Sequence, residues 1–133
     1  MKAEKAIIAI MRANAAVTDL VGSGIYPVLI PENAVYPCIT VERISGQRIV
    51  APLFAVADPG AVDVRLQVTA WGRTYESVKT VSEAVRVAVE RYRGDIVEVT
   101  VWDIVPETDG PDLYDGDLQL YGAPADYTLS HPE

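Results

Sequence analysis

One cysteine, one histidine and one phenylalanine occur in 133 residues, and no lysine or arginine follows Arg93. The lone Cys38 excludes an internal disulfide and the paired Cys/His spacings of a zinc site. Flanked by Pro37 and Ile39, it reads as a small buried hydrophobe. The lone His131 stands near the end of the sequence, where chains fray, so a Ser/His or Cys/His nucleophile relay has no well-placed base. Neither a GxSxG nor an HExxH motif is present. No catalytic function is expected. Long apolar runs are also missing: Ala6 to Met11 is the longest near the start, far below the roughly 18 to 20 residues of a bilayer span. Lys2, Lys5, that run and "ANA" at 13–15 loosely imitate an export signal, but Arg12 interrupts it. An amphipathic helix in a protein that is intracellular at synthesis is expected instead.

What is present is a composition half hydrophobic and 23% charged, without repeats, which predicts one folded domain spanning 1–133. The net charge of −8 is unevenly spread. Up to Arg93, eleven cations face nine acids; from Gly94 onward there are ten acids and no Lys or Arg. Such an acidic half repels nucleic acid, and Arg43, Arg48 and Arg65 are too scattered for a basic footprint. Neither specific nucleic-acid binding nor membrane association is expected.

"VGSGIYP" at 21–27 raises the question of a phosphate loop. Such a loop leaves a strand and opens a helix, so that unpaired amides meet the ligand. Here Ala3, Ala6, Ile7, Ile10 and Met11 follow a helical spacing closed by Asn14, fray through "AAVTDL" and stop at Gly22. The order is reversed, and the stretch reads as helix stop plus turn. After a link punctuated by Pro27, Pro31 and Pro37, "CITVERIS" alternates as a strand. "VDVRLQVTAW" at 62–71 alternates most clearly, with Val62, Val64, Leu66, Val68 and Ala70 on one face. Thr74 is placed to cap a second helix with the stripe Tyr75, Val78, Val81, Val85, Ala88 and Tyr92, ending near Gly94. "IVEVTVWDIV" at 96–105 reads as a third strand. Residues 118–129 read as one or two more, broken near Gly122-Ala123-Pro124. This order predicts an α+β fold: a mostly antiparallel sheet of four to five strands with two helices packed on one face.

Glu107, Asp109, Asp112, Asp115 and Asp117 crowd "PETDGPDLYDGD", but their spacing departs from a calcium loop and reads as a solvated acidic loop. No cofactor or metal is expected. Residues 48–61, "RIVAPLFAVADPGA", join two strands yet carry Ile49, Val50, Leu53, Phe54 and Val56. Connections of this length usually lie polar on the surface, so the stretch either tucks over its own core or grips another subunit; the second is favoured, which makes these five residues subunit-interface candidates. An apolar arm, a polarised charge and no active site describe an assembly protein.

Nearly the whole chain carries a pattern: "AEKAIIAIMRANAAVTDLVGSGIYP", "YPCITVERISG", "VRLQVTAWGRTYESVKTVSEAVRVAV" and "DLYDGDLQLYGAPADYTLS". With it the chain resembles the tail-completion or tail-to-head joining proteins of long-tailed bacteriophages. Gly24 departs from the basic or polar residue expected before "IYP". The resemblance implies a tail-terminator-like fold and a ring, typically of six copies, that caps the tail tube and joins it to the head. Its partners would then be other copies of itself, the tail tube protein and the head connector proteins, in the tail or neck of a virion assembled in the bacterial cytoplasm. In such a ring an acidic channel would leave passing DNA mobile, which makes Asp109, Asp112, Asp115 and Asp117 channel-facing candidates. Two other functions stay open at this level: an acidic DNA mimic that blocks a nucleic-acid-binding protein, and a small-ligand binding domain.

Overall fold

The computed structural model describes residues 1–49 and 60–132. Helix α1 (Lys2–Arg12) buries Ala3, Ala6, Ile7, Ile10 and Met11, the stripe its sequence spacing predicts. It does not fray onward. Asn14 accepts a hydrogen bond from the Val17 amide at 3.3 Å and caps a separate helix, α2 (Ala15–Val21). Gly22, at φ +61°, ends it. Helix α3 (Tyr75–Val89) is capped by Thr74, whose hydroxyl accepts from the Ser77 amide at 3.2 Å. Val78, Val81, Val85 and Val89 form its buried face, while Tyr75 is exposed.

The main sheet has six strands, in the order β1 (Ile25–Pro27), β2 (Cys38–Ile49), β3 (Ala61–Gly72), β8 (Leu120–Pro132) and β6 (Asp103–Asp109); β7 (Leu113–Asp115) also pairs with β8. The two remaining strands, β4 (Gly94–Ile96) and β5 (Val99–Val101), form a separate two-stranded ribbon. The α+β class holds, but among the described residues the sheet is mixed and larger than expected, with three helices: β1 runs parallel to β2, with Ile25 opposite Ile39.

Two boundaries differ for local reasons. The expected strand at 96–105 is cut by a turn at Val97 and Glu98, both at positive φ (45° and 65°), which folds β4 onto β5. The expected break at Gly122-Ala123-Pro124 does not occur. The Gly110 amide donates to the Pro124 carbonyl at 2.8 Å, so the main-chain groups of Pro124 face outward, between its β7 and β6 neighbours. There the missing proline N–H removes no ladder bond.

Val64, Leu66, Val68 and Ala70 of β3, Ala123, Ala125, Tyr127 and Leu129 of β8, and Ile39 and Val41 of β2 are buried in a core shared with the helices. Among the described residues no helix covers the opposite face, which is largely polar and partly exposed. Arg65 pairs with Asp126 at 2.7 Å, Ser130 donates to Asp63 at 2.6 Å, and Trp71 Nε1 donates to Thr40 at 3.0 Å. One face core and one face wet is what the alternation in β3 requires.

Candidate functional site

At one end of β3 and β8 stands the acidic segment. Asp115 of β7 accepts hydrogen bonds from the amides of Asp117 and Leu118 at 3.0 and 3.2 Å, an Asx turn that shapes the hairpin into β8. Arg73 donates to the Leu118 carbonyl at 2.8 Å and pins its tip. Asp112 is held by Lys79 at 2.5 Å and by the Tyr75 hydroxyl at 2.7 Å. Lys79, then Tyr75, hold its carboxyl below the usual aspartate range. Tyr121 packs at a tilt against Tyr114 (centroids 4.8 Å apart, planes at 51°) and meets Tyr75 edge-on at 5.9 Å. Beside them a cavity of about 330 Å³ is lined by Trp71, Leu113, Tyr114, Asp115, Gly116 and Asp117.

The four acidic candidates therefore differ. All four are exposed, but Asp112 docks the segment onto α3 and Asp115 shapes its turn, while Asp109 stands at the end of β6 and Asp117 in the turn after β7. Among the described residues no group of three His, Cys, Asp or Glu side chains could hold a metal ion. No helix there is long and apolar enough to cross a membrane.

The opposite end was not anticipated. The register sets Arg48 beside Val62 and Val62 beside His131. With Lys2 and Ala3 of α1, Arg43 and Gly46 they line a cavity of about 490 Å³. The Arg43 guanidinium lies over Gly46, where a Cβ would come within 1.8 Å of it. His131 is 6% exposed, with Nδ1 2.7 Å from the Pro132 carbonyl. Contrary to the expectation of a frayed end, it is built into β8. The sequence signal, with Lys2 far before Arg43 and Arg48 and His131 far after them, becomes visible only through the strand register.

Of the apolar candidates, Ile49 closes β2 opposite Ala61. Val50, Leu53, Phe54 and Val56 lie outside the described residues. Cys38 is fully buried, and burial raises its thiol pKa to about 11, as befits a core residue rather than a nucleophile.

The tail completion protein gp17 family matches residues 5–129. The chain belongs to that family. It is thus a structural protein of the phage tail. No curated protein matches it. A chain from the virion of a native gene transfer agent particle has the same fold, with a TM-score of 0.74 at 11% identity over 98% of this chain and 94% of that one.

Proposed function

We propose that this tail completion protein acts as a ring-forming terminator, which caps the tail tube and joins it to the head. Its membership of the family over residues 5–129 carries the reading, and a fold shared with a virion component of a gene transfer agent supports it. The sheet suits a subunit with neighbours on two sides. Beyond Val41, β2 runs on to Ile49 without a partner on its outer edge among the described residues, and the apolar connection 50–59 continues from it. Leu53 and Phe54 dock on the adjoining subunit, each contributing about 1.5 to 3 kcal/mol of apolar burial. Asp109, on the acidic side of the sheet, faces the channel or its mouth, where a carboxylate leaves DNA unbound.

Native mass spectrometry of the purified protein tests this. A closed oligomer, six copies in the family pattern, is expected, and Leu53→Asp with Phe54→Ser should weaken it while the monomer still folds. An unchanged oligomer with a lowered melting temperature would place those residues in the subunit's own core.

A further inference from the structure

We infer that the outward face of α1 forms a groove that receives the β7 hairpin of a second copy of the chain. The inference deepens the ring reading and rests on it for the identity of the occupant. Packing of Ala3, Ala6, Ile7, Ile10 and Met11 into the core leaves Lys5, Ala9 and Arg12 on the other side of α1. There, with Ile8, Pro27 of β1 and Val97 at the tip of the β4–β5 ribbon, they line a cavity of about 670 Å³. Among the described residues its lining side chains are apolar apart from those two cations.

Two exposed valines stand beside this groove in left-handed backbone. Val97, at φ +45°, is 53% exposed; Val28, next to Pro27, is at φ +64° and 60% exposed. The Leu29 amide donates to the Pro27 carbonyl at 2.7 Å across Val28, a γ-turn of the rare and strained hand. A β-branched side chain at positive φ costs the backbone what glycine or asparagine would spare. Neither valine is buried by its own subunit, and contact with a neighbour supplies the burial.

Chemistry and place identify the occupant. The β7 hairpin exposes Tyr114 and Leu118, each 58%, on either side of Asp115 and Asp117 in the chain. The Asx turn of Asp115 and the bond from Arg73 to the Leu118 carbonyl fix its tip. Two apolar side chains around two carboxylates match an apolar groove carrying two cations, and tyrosine is among the residues that most often anchor interfaces. Among the described residues Lys5, Arg12, Asp115 and Asp117 form no ion pair within the subunit.

The hairpin does not reach the groove of its own subunit. β1 and β7 stand on opposite flanks of the sheet with β2, β3 and β8 between them, four strand spacings or about 19 Å, and Lys79 and Arg73 tie the hairpin down where it is. Unlike patches on opposite flanks of one subunit make a head-to-tail contact, which closes into a ring when the rotation per subunit allows. Strand addition at β6 does not substitute for it. The Ile104 carbonyl accepts from the Arg91 amide at 2.7 Å, the Ile104 amide donates to Asp103 at 3.0 Å, and Pro106 has no N–H. An edge so blunted does not add a strand.

A complementation experiment decides it. Lys5→Glu with Val97→Asp spoils the groove, and Asp117→Lys with Leu118→Ser spoils the hairpin; all four side chains are exposed, so both variants should fold. Each alone, its fold checked by circular dichroism, should associate at least about tenfold more weakly than wild type, as expected for close charge pairs. Mixed together they retain one intact groove and one intact hairpin and should form 1:1 dimers by native mass spectrometry. If either double substitution fails to fold, Lys5→Glu or Asp117→Lys alone replaces it with the same expectations. A groove variant that assembles like wild type, or a mixture that stays monomeric, overturns the inference. Loss with the groove variant while the hairpin variant assembles normally overturns the hairpin as occupant. A wild-type chain that forms open filaments, with the mixture still dimeric, would overturn the ring and leave this contact standing; a wild-type chain that stays monomeric overturns both.

Discussion

Replacing Gly122 by alanine should destabilise the protein through an aromatic ring on the neighbouring strand. Gly122 sits in β8 opposite Trp71, and a Cβ there would fall 2.8 Å from Trp71 Cζ3, 3.1 Å from Cε3 and 3.2 Å from Cη2. The backbone at 122 is not in the left-handed region, so glycine is required by the ring and not by φ. A methyl group would push the indole aside. That forfeits the 3.0 Å bond from Trp71 Nε1 to Thr40, whose residue is 7% exposed. Overpacking of this kind costs about 1–3 kcal/mol, and the lost bond about 1 kcal/mol. The reduced entropy of the unfolded alanine chain returns about 0.4–1 kcal/mol. The net loss is then about 2 kcal/mol, a fall of roughly 5–10 °C in Tm for a chain of this size. Urea unfolding followed by circular dichroism measures it, and a double-mutant cycle assigns it. In a Trp71→Ala background the same Gly122→Ala change should be neutral or slightly stabilising. Equal losses in both backgrounds, or none in either, would refute the argument.

Cys38 should resist alkylation in the native protein. Its thiol pKa of about 11 against an ordinary 9.0 lowers the thiolate fraction about a hundredfold, so labelling at pH 8 should track global unfolding; reaction at the rate of a free thiol would contradict its burial. The unfolded thiol ionises first, so this group's contribution to stability is present below pH 9 and is lost as pH rises toward 11. For Asp112 the sign is opposite. Lys79 and Tyr75 depress its pKa, so its hold on α3 is present above the ordinary value of 3.8 and is lost as pH falls below it. Hydrogen exchange of the β7 amides should rise on acidification, and Asp112→Asn should show fast exchange at neutral pH with little further change. Exchange indifferent to both perturbations would mean that the aromatic cluster alone holds the hairpin.

The parts legible in the sequence are those whose burial follows one period. β3 alternates because one of its faces is core and the other wet, and α3 repeats because a single stripe meets β3 and β8. β1 was illegible because three residues ending in proline form a strand only by pairing in parallel with β2, a tertiary event with no local signature. The β4–β5 turn escaped because valine and glutamate occupy positive φ, where glycine or asparagine would have announced it. The site divides the same way. The acids of β7 and its turn are contiguous and visible as composition; Lys2, Arg43, Arg48 and His131 are scattered and meet only once β2, β3 and β8 are in register. That assembly also changes what the charge asymmetry means. Along the chain, cations come first and acids last, yet β8 carries His131 back to the basic end, and α3 sends Lys79 forward to neutralise Asp112. Charge order along the chain is therefore not charge order in space: reversing Asp112 should free the β7 hairpin and speed exchange of its amides, whereas reversing Asp95 or Glu98 on the β4–β5 ribbon should leave that exchange unchanged.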